Sequence, residues 1–347
     1  MFRRVSILLL CLVMIAGVTA CSQPENGSPD SSQPEVQEAP PPPPEFPVFV
    51  DGTRVSSRPG RVVSLSPALT EKIFDLGLDS RLAGVSDHCD YPAAAGSLES
   101  CGIALLPDIS AILSLRPHMV ISEVPLPEED RAELLRQGID VVVIERANSI
   151  DELWEVYIAI ARIFEGEHAG RHMGNIFADI VGGWLDDLAW AVEMEILESL
   201  ADEEIGDDSD EYLGMIPAIY LRMLPFNVAT GDTLENELMR IIGLRNIARE
   251  QYGWLYPEEL ATADGPGGFR SAQFIFFDEN YLAAEDLSEN TFYITLPAVT
   301  GGRAIPIDGY IMERQSLRTF GQLLEMARYI WPEADFPHWP PRIVFSL

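Results

Sequence analysis

The chain has 347 residues, 47% of them hydrophobic, which is ample for one large or two medium domains with real cores. It carries 55 acidic against 23 basic residues, a net charge of −32, and so lacks the basic surface that binding nucleic-acid phosphates requires. Lys72 is the only lysine in the chain, which reads as an effect of composition.

The first residues, Met1-Phe-Arg-Arg, are followed by an apolar run from Val5 to Val18 and then by Thr19-Ala20-Cys21. The run is short for a membrane span, and the small residues before Cys21 suit cleavage there. Val18-Thr-Ala-Cys21 resembles a lipobox, whereas Leu10 before Cys11 is too bulky. The resemblance implies a signal peptide over 1–20 and acylation of Cys21, whose chains would contribute about 0.8 kcal/mol per buried methylene and hold the protein on the outer face of a membrane. Residues 21–45 are mostly Ser, Pro, Gln and Glu and end in Pro40 to Pro44, a tether that cannot bury a core. Of the four cysteines, Cys89 and Cys101 remain after processing. An oxidising location predicts a disulfide between them, contributing roughly 3 kcal/mol, with a metal pair or two free thiols as the alternatives.

From Phe46 to Ser149 strands and helices alternate. Arg61 to Ser66 is an apolar strand, Pro67 opens a helix that Gly77 ends, and Leu82 to Ser86 is the next strand. A loop from Asp87 to Leu106 leads to a helix over Ile109 to Leu115, a strand over Met119 to Ser122, a helix from Pro127 to Gly138 and a strand over Val141 to Ile144. The alternation predicts an α/β lobe over 46–149 with a parallel sheet. Ser149-Ile-Asp-Glu152 is a capping box opening a long connecting helix over 150–200, with breaks near Gly166 and Gly182-Gly183. An acidic loop occupies 201–216. A second α/β lobe over 217–347 contains strands at Ala218 to Leu221 and Gln273 to Phe277, and helices at Thr233 to Ile242 and Ser316 to Ile330. The fold class is therefore α/β, two Rossmann-like lobes with parallel sheets joined by a long helix that limits closure.

The segments Arg61-Val-Val-Ser-Leu-Ser-Pro-Ala-Leu-Thr-Glu71, Leu76-Gly-Leu78, Leu82-Ala-Gly-Val85, Cys89-Asp-Tyr-Pro92 and Pro107 to Val120 resemble, in order and spacing, the substrate-binding proteins of cobalamin, ferric-siderophore and haem ABC importers. Gly231-Asp-Thr233, Gly243-Leu-Arg-Asn-Ile247, Leu296-Pro-Ala-Val299 and Gly302-Arg303 extend the likeness to the second lobe, from about Arg61 to Glu333. The resemblance implies two lobes bridged by one long helix, an ABC permease and its ATPase as partners, a small-molecule ligand, a monomer, and no cofactor or catalytic chemistry. It also implies an exposed glutamate on each lobe that pairs with permease arginines. Glu258 or Glu259 matches the second-lobe position, but Ser110 stands at the first-lobe one, with Asp108 two residues away.

In open parallel sheets a ligand sits beyond the carboxyl ends of the strands. That rule selects Ser66, Pro67, Ala68, Asp87, His88, Tyr91 and Glu123 from the first lobe, and Tyr220, Arg222, Phe226, Gly231, Asp232 and Trp254 from the second. A corrinoid is a large, mostly apolar disc that wants aromatic walls, whereas anionic ferric siderophores favour arginine clusters. Few arginines are selected, and the Asp87-His-Cys-Asp-Tyr-Pro92 loop resembles the cobalamin-type members, so a corrinoid is expected. Haem is the alternative, since His88 and Tyr91 are capable iron ligands. His168 and His172 stand four apart on the connecting helix and read as a solvated face. No Gly-x-Ser-x-Gly, phosphate loop or His-Glu-x-x-His supports an enzyme, while a surface receptor without a transporter is an alternative to import.

Overall fold

A computed structural model describes residues 43–200, 214–341 and 343. The signal peptide, Cys21, most of the tether and residues 201–213 of the acidic loop lie outside the described residues. Strands β1 (Val48–Val50) and β2 (Thr53–Val55) form an antiparallel hairpin that the sequence reading did not anticipate. Val48, Val50 and Val55 are buried in the main core.

The first lobe runs β3 (Val62–Ser64), α1 (Pro67–Asp75), β4 (Leu82–Val85), β5 (Glu99–Ser100), α2 (Ile109–Leu115), β6 (Met119–Ser122), α3 (Glu128–Arg136) and β7 (Asp140–Val143). The sheet order is β5-β4-β3-β6-β7, all parallel. Strands β3, β4 and β6 are largely buried apolar runs, as strands covered on both faces are, whereas the edge strand β5 is exposed. Helix α1 starts where Ser66 Oγ accepts the Leu69 amide at 3.1 Å and Pro67 takes the first helical position.

Helix α4 (Ile150–Glu165) is capped by Ser149, as the capping box predicts. Gly166, at φ 101°, then reverses the chain into α5 (Glu167–Ser199). Gly174 lies against Ile158, Gly170 against the Ala161 carbonyl, and the rings of Tyr157 and Phe177 stack at 4.1 Å. These pairings make α4 and α5 an antiparallel hairpin, so the break expected near Gly166 is a full reversal of the chain and the connection is not a single rod from Ser149. No break occurs at Gly182-Gly183, so the 33 residues of α5 run unbroken for about 50 Å. The carboxylate of Glu45 caps α5, accepting the amides of His168 at 2.8 Å and Ala169 at 3.2 Å at the positive end of the helix dipole.

The second lobe comprises β8 (Ile216–Met223), α6 (Leu234–Ile241), β9 (Leu244–Asn246), β10 (Phe274–Asp278), β11 (Ala304–Ile307), α7 (Gly309–Arg314) and α8 (Leu317–Ile330). Strands β9, β10 and β11 extend the sheet on β8 in parallel, while Asn227–Val228 pairs antiparallel with the far half of β8. The outer face of each sheet has its own apolar cluster. The inner faces share one, which passes from Leu69 and Ile73 through Tyr157, Phe177 and Leu188 to Leu238, Phe276 and Phe320. Among the described residues no helix is long and apolar enough to cross a membrane.

Candidate binding cleft

Ser66 follows β3, Asp87 to Tyr91 follow β4 and Glu123 follows β6, so the first lobe presents them together at one sheet edge. Ser66 Oγ donates to Glu123 Oε2 at 2.7 Å while capping α1. Ser66 and Ala68 are buried, Pro67 and Glu123 are half-buried, and His88 and Tyr91 are exposed. Asp87 serves the loop itself, because its Oδ1 accepts from the Gly102 amide at 2.9 Å and from Ser100 Oγ and so pins the loop to β5.

In the second lobe the guanidinium of Arg222 lies between the rings of Trp254 and Tyr281, 5.5 and 5.6 Å from their centroids, and is ion-paired with Glu313. Tyr310 meets Tyr281 edge-on at 6.1 Å. Tyr220 is buried and stands edge-on to Trp254 at 6.2 Å, so it backs that indole. Trp254 has a φ of 64°, uncommon for a bulky residue, and its backbone is over-determined by hydrogen bonds. Its amide donates to Thr230 Oγ1 at 3.2 Å, its carbonyl accepts from Val228, and Asp232 Oδ1 accepts the preceding Gly253 amide at 3.1 Å. The Thr230 hydroxyl and that amide hold the Asp232 carboxyl below the usual carboxylate range despite its partial desolvation. Gly231 lets the Arg249 carbonyl approach where a Cβ would sit. Gly231 and Asp232 thus build the support of Trp254.

Two sequence expectations are corrected here. Phe226 turns away from the cleft into the outer cluster, edge-on to Phe269 at 5.9 Å and Phe292 at 5.7 Å. Cys89 and Cys101 are free and buried. They point into different clusters: Cys89 Sγ donates to Thr70 Oγ1 at 3.3 Å beside α1, whereas Cys101 packs with Val63 and Ile112 under α2. Burial pushes both thiols up, Cys101 to about 11.

Sequence reasoning missed Tyr281, Tyr310, Glu313 and the arginines that reach between the lobes, Arg146, Arg314 and Arg318. Tyr281 and Tyr310 each lie three residues past a strand, where the strand-end rule finds them. Arg318 lies 4.1 Å over the Tyr91 ring, and Arg314 reaches the His88 carbonyl at 3.4 Å. Arg146 is 3.5 Å from Glu235, whose carboxyl burial pushes up. Arg314 and Arg318 also face the buried carboxylate of Glu71, at 3.4 and 2.6 Å, so these arginines, like Arg222 with Glu313, are each set against a carboxylate of the chain.

Asp108 caps α2, and Glu258 and Glu259 open the short helix Glu258–Ala261; all three are exposed. The Ser110 hydroxyl and the Ala111 amide hold the Asp108 carboxyl below its ordinary value. His168 and His172 are exposed on the first turns of α5. A separate concavity where α5 crosses α6, lined by Ile150, Val192, Met215 and Ile241, gathers none of the strand-end residues.

No protein-family model matches the chain. It is 24% identical to YvrC, an uncharacterized ABC transporter substrate-binding lipoprotein of Bacillus subtilis, over 94% of this chain and 96% of that one. A vitamin B12-binding protein of Vibrio parahaemolyticus is 30% identical over 116 residues, which span 31% of this chain and 42% of the relative. A periplasmic haem-binding protein from Pseudomonas aeruginosa matches in fold with a TM-score of 0.61 at 19% identity, over 82% of this chain and 96% of that one. These are binding proteins, not enzymes, and the resemblance drawn from the sequence motifs is borne out.

Proposed function

We propose that this chain, a substrate-binding protein of the ABC-importer type, captures a corrinoid in the cleft and delivers it to a membrane permease while tethered through acylated Cys21. The observation that carries the reading is the second-lobe wall of Trp254, Arg222, Tyr281 and Tyr310, an aromatic surface whose guanidinium is already neutralised by Glu313. A broad, weakly charged disc gains from such a surface by burying apolar area and stacking. An anionic iron chelate would instead have to displace Glu313 from Arg222, or Glu71 from Arg314 and Arg318. Import also fits Asp108, Glu258 and Glu259, which offer exposed carboxylates at one helix start in each lobe for basic residues of a permease.

Haem is the second reading, on the exposure of His88 and Tyr91 in the loop after β4. Calorimetric titration of the Cys21→Ser protein with cobalamin, haemin and several ferric siderophores separates the two. Saturable binding of cobalamin at one site is expected, and Trp254→Ala should weaken it by about 1–3 kcal/mol, roughly 5- to 150-fold, through loss of stacking area. Binding of a siderophore or haemin without cobalamin would replace the corrinoid reading.

A further inference from the structure

Five consecutive residues of the second lobe, from Arg314 to Arg318, are tied to α1 and to Ala147 of the first lobe by a seam of buried polar contacts. Glu71 of α1 is 1% exposed, yet its carboxylate accepts from Arg318 at 2.6 and 3.1 Å and from Ser316 Oγ at 2.6 Å, with Arg314 Nε at 3.4 Å. The adjacent Lys72, also 1% exposed, donates Nζ to the Arg314 carbonyl at 2.7 Å. Asp75, one turn on, accepts the Leu317 amide at 3.0 Å and the Tyr157 hydroxyl at 2.7 Å. Gln315 is buried at φ 50°, and its carboxamide makes a reciprocal pair with Ala147, donating to the carbonyl at 2.7 Å and accepting the amide at 3.0 Å. Beneath these contacts lies the shared apolar core, with Leu69 and Ile73 from one side and Met312 and Phe320 from the other.

A charge or amide taken out of water is tolerated when every neighbour is a partner, and separating such a seam exposes the apolar layer under it as well. A left-handed conformation at a buried glutamine is a local cost that persists only where its surroundings fix it. We propose that α1 and the turn from Arg314 to Arg318 form a permanent clasp between the lobes, a second junction beside the helical hairpin, so that ligand enters and leaves without the lobes parting along this edge. The same arginines hold the cleft-mouth loop through Tyr91 and the His88 carbonyl, so movement on ligand entry is assigned to the rim away from this edge.

Lys72, as the only lysine, makes the clasp directly readable. The Cys21→Ser protein is treated with an amine-acylating reagent at increasing urea below the unfolding midpoint, and peptide mapping separates Lys72 from the amino terminus. If the clasp is permanent, Lys72 is acylated only through global unfolding: at least ~1000-fold more slowly than the amino terminus in water, with a rate that climbs with urea in parallel with the fall in stability. A rate within tenfold of the amino terminus, or one insensitive to urea, overturns the clasp. Arg318→Gln is expected to raise the native-state rate at least tenfold with a shallow urea dependence, and an unchanged rate would remove the Glu71 pair from the clasp. Should that variant fail to fold, the urea dependence of the parent protein decides by itself. None of these readings needs a ligand, so they stand apart from the corrinoid titration.

Discussion

Asp75 carries a pH signature of its own. Burial pushes its carboxyl up from 3.8 to about 6, against the Tyr157 hydroxyl, the Leu317 amide and Lys72, which pull it down, and with Glu71 adding to the rise. Because the folded value lies above the unfolded one, its contribution to stability is fully present below about pH 4 and is lost as pH rises through about 6. An amide keeps the acceptor oxygen without ionising. Asp75→Asn should match the parent near pH 4 and gain on the order of 2–3 kcal/mol relative to it by pH 7.5, read from urea melts across that range; a constant difference at all pH values would contradict the assignment. Gly231 is the other single-residue test. Gly231→Ala places a methyl group onto the Arg249 carbonyl, so a loss of about 2–4 kcal/mol in stability is expected, with weaker cobalamin binding through displacement of Trp254. At this scale the sequence singled out Arg222 and Trp254 as cleft candidates, although Arg222 lies within β8 and not beyond its end. It did not show that Asp232 and Gly231 act through the Trp254 backbone, because side-chain and close-approach partners about 20 residues apart are set by loop folding.

Among the elements, α5 departs most from the sequence expectation. Glycines at 182 and 183 lower helix propensity, yet the helix passes through them because Trp184, Leu185 and Leu188 are buried on its inner face and tertiary packing outweighs a local preference. A Cβ at either position meets nothing within 4 Å. Gly182→Ala and Gly183→Ala should each stabilise the protein by about 0.5–1 kcal/mol in denaturant melts, and destabilisation by either would mean that the helix flexes there in solution. Gly166 is different, since its φ of 101° and the contact with Glu45 make it the obligatory reversal. The helix starts at Asp108 and Glu258 bear on the partner. Charge reversal by Asp108→Arg or by Glu258→Arg with Glu259→Arg should weaken permease association several-fold at low salt and little at high salt, because exposed ion pairs are screened; no change at low salt would discard the docking role.

For the molecule as a whole, the inner core shared by both lobes and the polar seam over it imply little lobe movement. Scattering of the protein begun at Pro43, which retains the Glu45 cap, should show a radius of gyration that changes by less than about 0.5 Å on adding cobalamin. A larger compaction would mean that the helical hairpin bends as a hinge.

Strand and helix alternation, caps and turn glycines were legible because they are local: Ser66 before Pro67, Ser149 before Glu152 and the apolar runs at Val62 and Met119 each settle their own segment by short-range sterics and burial. The ordered motifs also carried the two-lobed plan and the binding-protein likeness. What only the tertiary structure decided is how distant segments meet: the reversal of α4 onto α5, the separation of Cys89 from Cys101, and the burial of Glu71 and Lys72 against a turn more than 240 residues away. In the sequence those two residues are an ordinary charged pair on a helix, and it is the facing Arg314 to Arg318 turn, by supplying partners for both charges, that allows them to be interior.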